Sequence, residues 1–337
     1  MAKFHLVTGN HKSSIGIEDI HLMLLDVLGD DLTTGTFAEK SKINFVIEDF
    51  ASQDFASYIL DSEFKFCLVL TEFMNLGYFG KIFINKFGIK SNPIVLFSKD
   101  LVFATVRNLK DFLPFRLKLK CEEFIYWNKR EMGLRRMLRH GDFNGVFCLH
   151  PAIEQQAREY MPKLSPDSFF TLFPRLNNIQ REEVNLDIPI VSFGSKNKYR
   201  KREISKFNNV FPSKVLQPKF EKGSSGNDSV PMGKFIDLYF RNSKSWKYLS
   251  PVRFWRTLRK GSFIVYFGEE VSDHPINKCA IRVNTYKDFA TSIESLSVVV
   301  EEIRKKIEIY DDIAKENNDR CLIFLNNLDL CPGVKND

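Results

Sequence analysis

Short, almost wholly apolar runs recur along this chain and alternate with stretches of helical periodicity. Residues 4–8, 43–47, 64–70, 93–97 and 145–149 each read as a strand with no polar face. A strand without a polar face must be covered on both sides, which is the condition of parallel strands flanked by helices. The segment 17–28 supplies one such helix, with Ile20, Leu24, Val27 and Leu28 on one side. Another helix is expected between the strands 43–47 and 64–70. The first part of the chain is therefore expected to be an α/β domain built on a parallel sheet.

A second, similar pattern begins at Asp187. Residues 188–193 form a strand, Gly194-Ser195-Lys196-Asn197-Lys198 a turn, and a helix starts near Tyr199. Lys222 to Val230 has the composition of a flexible loop. Strands follow at 235–240 and 263–267, and a long helix is expected over 287–315. The linker falls between Pro174 and Asp187. With 337 residues there is length for two domains of ordinary size. They are placed at 1–180 and 181–337, the last helix being able to pack back on the first.

The net charge of +7 is uneven: residues 196–260 hold 17 Lys or Arg against 4 Asp or Glu. Such an excess suits a solvated basic surface or one that faces a polyanion such as a nucleotide diphosphate, an anionic membrane or nucleic acid. Residues 107–139 are also basic, with interleaved apolar positions, and read either as a helix with one core-facing stripe or as one lying on an anionic membrane. No run is long enough for a membrane span, and the N-terminus leads into a strand rather than a leader, so no signal peptide is expected. The six cysteines show no paired or metal-type spacing and read as reduced thiols. A cytoplasmic setting is expected, with peripheral contact at the inner face of the membrane allowed, and no metal site.

The common phosphate-binding signatures GxGxxG and GxxxxGK[ST] are absent, as are HExxH and GxSxG. What remains is an enzyme that holds phosphate with loops and arginines, and three places fit. Ser250-Pro251-Val252-Arg253 opens a helix that Gly261 closes; a helix N-terminus beside an arginine attracts anions. Gly194-Ser195 ends a strand and is followed by Tyr199 and Arg200, which offer a close backbone approach and polar donors. Asp273-His274-Pro275 follows the strand 263–267. All three are expected at the carboxyl ends of strands, where open α/β sheets bind ligands. Each also has a plain reading, as a turn or a solvated basic face.

Transfer to a hydroxyl requires a base. Glu72, just past the strand 64–70, is the first candidate; His11, Glu18 and Asp19, in or after the first strand's loop, compete with it. A carboxylate that merely caps a helix is the alternative for Glu72.

Together these residues resemble the GT-B glycosyltransferases, in which two Rossmann-like domains face each other across a cleft. Three short stretches are similar to the phage DNA β-glucosyltransferases within that group. Leu70-Thr71-Glu72 resembles their strand-Thr-Asp segment, whose acid is the catalytic base. Phe193-Gly194-Ser195 with Arg200 resembles their phosphate-holding Gly-Ser loop and arginines. Val252-Arg253-Phe254-Trp255 resembles their donor-contacting helix start. Arg256 stands where those enzymes carry a donor-binding glutamate, and the glutamate pair of the large retaining group is absent. The resemblance thus implies an inverting, metal-independent transfer of a sugar from a UDP- or GDP-sugar to a hydroxyl of a glycan, lipid-linked or protein acceptor. Transfer to hydroxymethylated bases of DNA, and nucleotide binding without catalysis, are the two rival expectations.

Overall fold

The computed structural model describes residues 3–8, 15–47, 63–70, 141–176, 188–193, 198–211, 215–217, 235–240, 249–268, 274–294 and 296–330. Two wholly parallel sheets organise them. Sheet A contains β1 (Phe4–Val7), β2 (Leu32–Gly35), β3 (Ile43–Ile47), β4 (Lys65–Leu70), β5 (Gly145–Cys148) and β6 (Phe169–Thr171), in the order β2-β1-β3-β4-β5-β6. Sheet B contains β7 (Ile190–Val191), β8 (Ile236–Tyr239), β9 (Phe263–Phe267) and β10 (Ile281–Val283), in the order β10-β9-β8-β7. The helices are α1 (Ile15–Leu28), α2 (Pro151–Tyr160), α3 (Lys198–Val210), α4 (Pro251–Arg259), α5 (Tyr286–Glu294) and α6 (Leu296–Leu330).

The apolar runs form strands because both faces are covered: every residue of β1, β3, β5 and β8 is buried. Phe45 stacks edge-on against Phe4 and Phe147, and Phe147 lies on Phe170, so aromatic rings tie adjacent strands of sheet A. Each such ring contributes roughly 1.5–3 kcal/mol through burial. Beside sheet B, Phe207 and Phe289 meet edge-on and clamp α3 to α5.

Three short strands, β2, β6 and β10, have no counterpart in the sequence reading. The helix expected over 287–315 is two helices. α5 covers α3 through Phe289, whereas α6 continues to Leu330 and serves sheet A. Ile303, Ile307, Tyr310, Ala314, Cys321 and Leu325 keep one face of α6 buried beyond the polar run at 315–320, which is where the sequence pattern fades. Asn317 donates to the Thr171 carbonyl (2.8 Å) and the Lys65 ammonium to that of Leu328 (2.7 Å). Phe324 lies against Phe170 and over Gly145.

The two sheets share one continuous hydrophobic core. The stretch 172–176, at the edge of the expected linker, is held firmly. Pro174 accepts from the Tyr310 hydroxyl (2.9 Å), Arg175 from the Trp255 indole (3.3 Å), and the Leu176 amide donates to Asp311 (2.6 Å). The strands expected at 93–97, the helix between β3 and β4, the loop 222–230 and the basic segment 107–139 lie outside the described residues.

Candidate functional site at the junction of the two sheets

In sheet A the strand order reverses at β1, so the switch point lies between β1 and β3. Ligands of open α/β sheets bind at such a point, beyond the carboxyl ends of the strands. α1 leaves β1 at that edge and carries Glu18 and Asp19 in its first turns. In sheet B, α3 and α4 follow the carboxyl ends of β7 and β8. α1 packs on α4, so the switch point of one sheet meets the strand ends of the other.

The contact is polar at its centre. Asp19 is buried and accepts from Arg256 Nη1 at 3.1 Å. Burial raises the Asp19 carboxyl to about 6 despite Arg256, with Glu18 adding to the rise and Lys260 opposing it. The Arg256 guanidinium lies over the Phe193 ring (4.9 Å), and its buried Nε meets no hydrogen-bond acceptor among the described residues.

One turn earlier on α4, Arg253 is also buried. It forks onto Asp237, in the middle of β8. Nε donates to Oδ2 at 2.8 Å, and Nη2 donates to Oδ1 and, at 2.9 Å, to the Leu238 carbonyl. The guanidinium lies over Tyr239 (4.5 Å) with Phe193 beyond (5.9 Å). Thr257 adds a hydroxyl to Asp237 Oδ2 (3.2 Å). Arg200, in the first turn of α3, is buried too and donates to the Phe240 carbonyl at 3.0 Å. Burial, then the like charge of Arg253, brings its guanidinium down to about 10.

Arg200, Arg253 and Arg256 thus form a row along the carboxyl ends of β7 and β8, and Asp237 and Asp19 are the acidic groups paired with it in the described structure. A largely buried row of guanidinium groups at strand ends favours an anion, because a low-dielectric setting strengthens each interaction.

α4 has the ends its sequence announced. Ser250 accepts from the Arg253 amide (3.3 Å) and Pro251 occupies the first turn. Gly261, at φ 68°, closes it: its amide reaches Leu258 O (2.9 Å) and that of Ser262 reaches Thr257 O (3.3 Å). That pair of bonds is a Schellman motif, and the left-handed φ is what calls for glycine. The Ser250 amide is fixed by the Tyr239 hydroxyl (2.8 Å). Ser250 and Pro251 therefore hold the helix start, and half-buried Val252 packs on the core.

His274 requires a correction. It is expected at an accessible sheet edge, but it is 1% exposed and sits in the seam between the sheets. Its ring faces His150 (5.9 Å), Phe173 (5.0 Å) and Tyr310 (6.5 Å). Nδ1 accepts from the Ile276 amide (3.2 Å), capping the turn Pro275–Cys279, and burial pushes the imidazole down to about 3, with His150 adding to the drop. His274 is a neutral capping group. His150 repeats the arrangement at the start of α2, where its Nδ1 accepts from the Ala152 amide (3.1 Å).

Tyr199 is half-buried beside Arg202 (5.5 Å). Glu72, His11, Gly194, Ser195 and Asp273 lie outside the described residues. The sequence reading missed Asp237 and the partnership of Asp19 with Arg256. Asp237 had a visible signal, as the one charged residue within the run Phe235-Ile236-Asp237-Leu238-Tyr239-Phe240. Among the described residues, no group of three or more His, Cys, Asp or Glu stands close enough to hold a metal ion, and no helix is long and apolar enough to cross a membrane.

No protein-family model matches the chain, and neither does any curated protein. Among solved structures, the crystal structure of the glycotransferase of kitacinnamycin matches over 96% of this chain and 98% of its own, at 10% identity and a TM-score of 0.37. A likeness of that degree carries no functional weight.

Proposed function

We propose that this protein is a GT-B glycosyltransferase, with residues 1–180 binding the acceptor and 181–337 the nucleotide sugar. The observation that carries the reading is the row Arg200–Arg253–Arg256 at the strand ends of sheet B, with Arg200 and Arg253 buried and Arg256 half-buried, abutting Asp19 at the switch point of sheet A. The donor is a UDP- or GDP-sugar whose diphosphate lies along the arginines, with Gly194 and Ser195 as further donor-binding residues. The acceptor is a hydroxyl of a glycan, a lipid-linked saccharide or a protein. As the acceptor oxygen bonds to the anomeric carbon, the bond to the diphosphate breaks. The hydroxyl proton passes to a carboxylate and the released charge stays on the diphosphate. Preorganised guanidinium groups are most effective where such charge develops, and three of them can do the work of a metal ion. The stereochemistry is inverting.

Glu72 and Asp19 are the two bases to weigh, with His11 and Glu18 behind them. The buried Asp19, raised to about 6, has a proton affinity suited to taking a proton near neutral pH. The proposed setting is cytoplasmic, with peripheral contact at the inner face of the membrane allowed. The test is donor turnover by mass spectrometry with UDP- and GDP-sugars, for wild type and the E72Q, D19N and R253M variants. The reading requires turnover that R253M loses and that one of the two carboxylate variants lowers at least a hundredfold. Nucleotide binding without turnover in any condition would leave a non-catalytic binding protein.

The basic excess of 196–260 favours one rival acceptor, hydroxymethylated DNA. In that case activity falls steeply with salt as counterions are released, whereas a saccharide acceptor leaves it nearly flat.

A further inference from the structure

The carboxylate of Asp237 is fully buried in the centre of an otherwise apolar strand. A buried ion pair stabilises a fold little better than a well-packed apolar pair of the same volume, because desolvation offsets the attraction. Stability therefore does not explain an aspartate at this position; what it holds does. Asp237 takes Nε and Nη2 of Arg253 in one fork, fixing the plane of the guanidinium. The Leu238 carbonyl fixes the same Nη2, the rings of Tyr239 and Phe193 lie beside the guanidinium, and Thr257 holds the carboxylate itself. Every internal hydrogen bond of the Arg253 side chain among the described residues is made by Nε or Nη2, which leaves Nη1 as its donor for a ligand.

We infer that Asp237 is the positioning residue of the anion site: it acts through Arg253, turning a flexible arginine into a fixed single-nitrogen donor for a nucleoside diphosphate. A residue that acts only through a partner has no effect once the partner is gone, whereas one that supports the fold at large weakens binding in either background. The inference rests on the diphosphate reading given above.

The experiment is a double-mutant cycle on the full chain: wild type, D237N, R253M and D237N/R253M, titrated calorimetrically with UDP, GDP and inorganic pyrophosphate, each checked for folding by circular dichroism. The double variant removes both charges and keeps the side-chain volumes close, so it folds even where D237N, with a buried unpaired guanidinium, does not. The expected result is at least tenfold weaker binding in D237N and in R253M, with the double variant no weaker than R253M. If D237N fails to fold, a double variant that binds no more weakly than R253M is the expected result. A double variant at least threefold weaker than R253M, or D237N binding like wild type, overturns the positioning role alone. Absence of binding of all three ligands to wild type overturns the diphosphate site and this inference with it.

Discussion

Replacing Asp19 with asparagine should change how stability depends on pH in a defined way. The native carboxyl keeps its proton up to about pH 6, while an unperturbed aspartate loses it near 3.8. Between those values the native state binds more protons than the unfolded one, so this group's contribution to stability is full below 3.8 and is lost as pH rises through 6. The gap corresponds to about 3 kcal/mol in all, of which about 2 kcal/mol falls between pH 4.5 and 7.5. Asparagine cannot titrate. Urea unfolding of wild type and D19N at half-unit steps from pH 4.5 to 7.5 gives the difference directly, and other titrating groups cancel in it. The wild type should lose about 2 kcal/mol relative to D19N across that range, whatever constant offset arises from stranding Arg256. Parallel curves would mean that Asp19 ionises like a solvated carboxylate, and would remove it from the list of bases poised near neutral pH.

The seam makes the opposite prediction for His274. Its native imidazole is held down to about 3 against 6.5 in the unfolded chain, so its contribution is full above 6.5 and is lost as pH falls. H274N keeps a capping acceptor and should spare about 2 kcal/mol of the wild-type loss between pH 7.5 and 5, measured by the same urea series. A Cβ on Gly145 would meet Phe324 Cε1 at 2.8 Å, so G145A should destabilise by about 1–3 kcal/mol in thermal unfolding, and F324L in the same background should recover most of it. S250A removes the α4 cap while keeping the amide that meets Tyr239, and should cost about 1 kcal/mol in denaturant unfolding.

The parts of the fold legible in the sequence are those whose physics is local. The runs that became β1, β3, β4, β5 and β9 are apolar on both faces, and burial on both faces is what they have. The Ser-Pro start and Gly261 stop of α4 are set by backbone chemistry alone. β2 was not legible because Leu32-Thr33-Thr34-Gly35 carries one apolar residue, and β6 because it spans only three residues; both are held by their parallel neighbours. The same holds at the site. Arg253 could be placed at a helix start, but its fork onto Asp237, 16 residues earlier, is a tertiary fact. His274 could be placed after β9, yet only the packing of α6 and His150 around it decides that it is buried. Arg256, which in sequence looks like a missing glutamate, meets its carboxylate 237 residues away on α1.

The most direct test of the central claim is a crystal structure of the full chain with UDP or GDP at saturating concentration. The account predicts the diphosphate at the carboxyl ends of β7 and β8, between α3 and α4, with phosphate oxygens within hydrogen-bonding reach of at least two of Arg200, Arg253 and Arg256. A nucleotide whose phosphates lie elsewhere, with the three arginines keeping only the protein contacts described above, would contradict it.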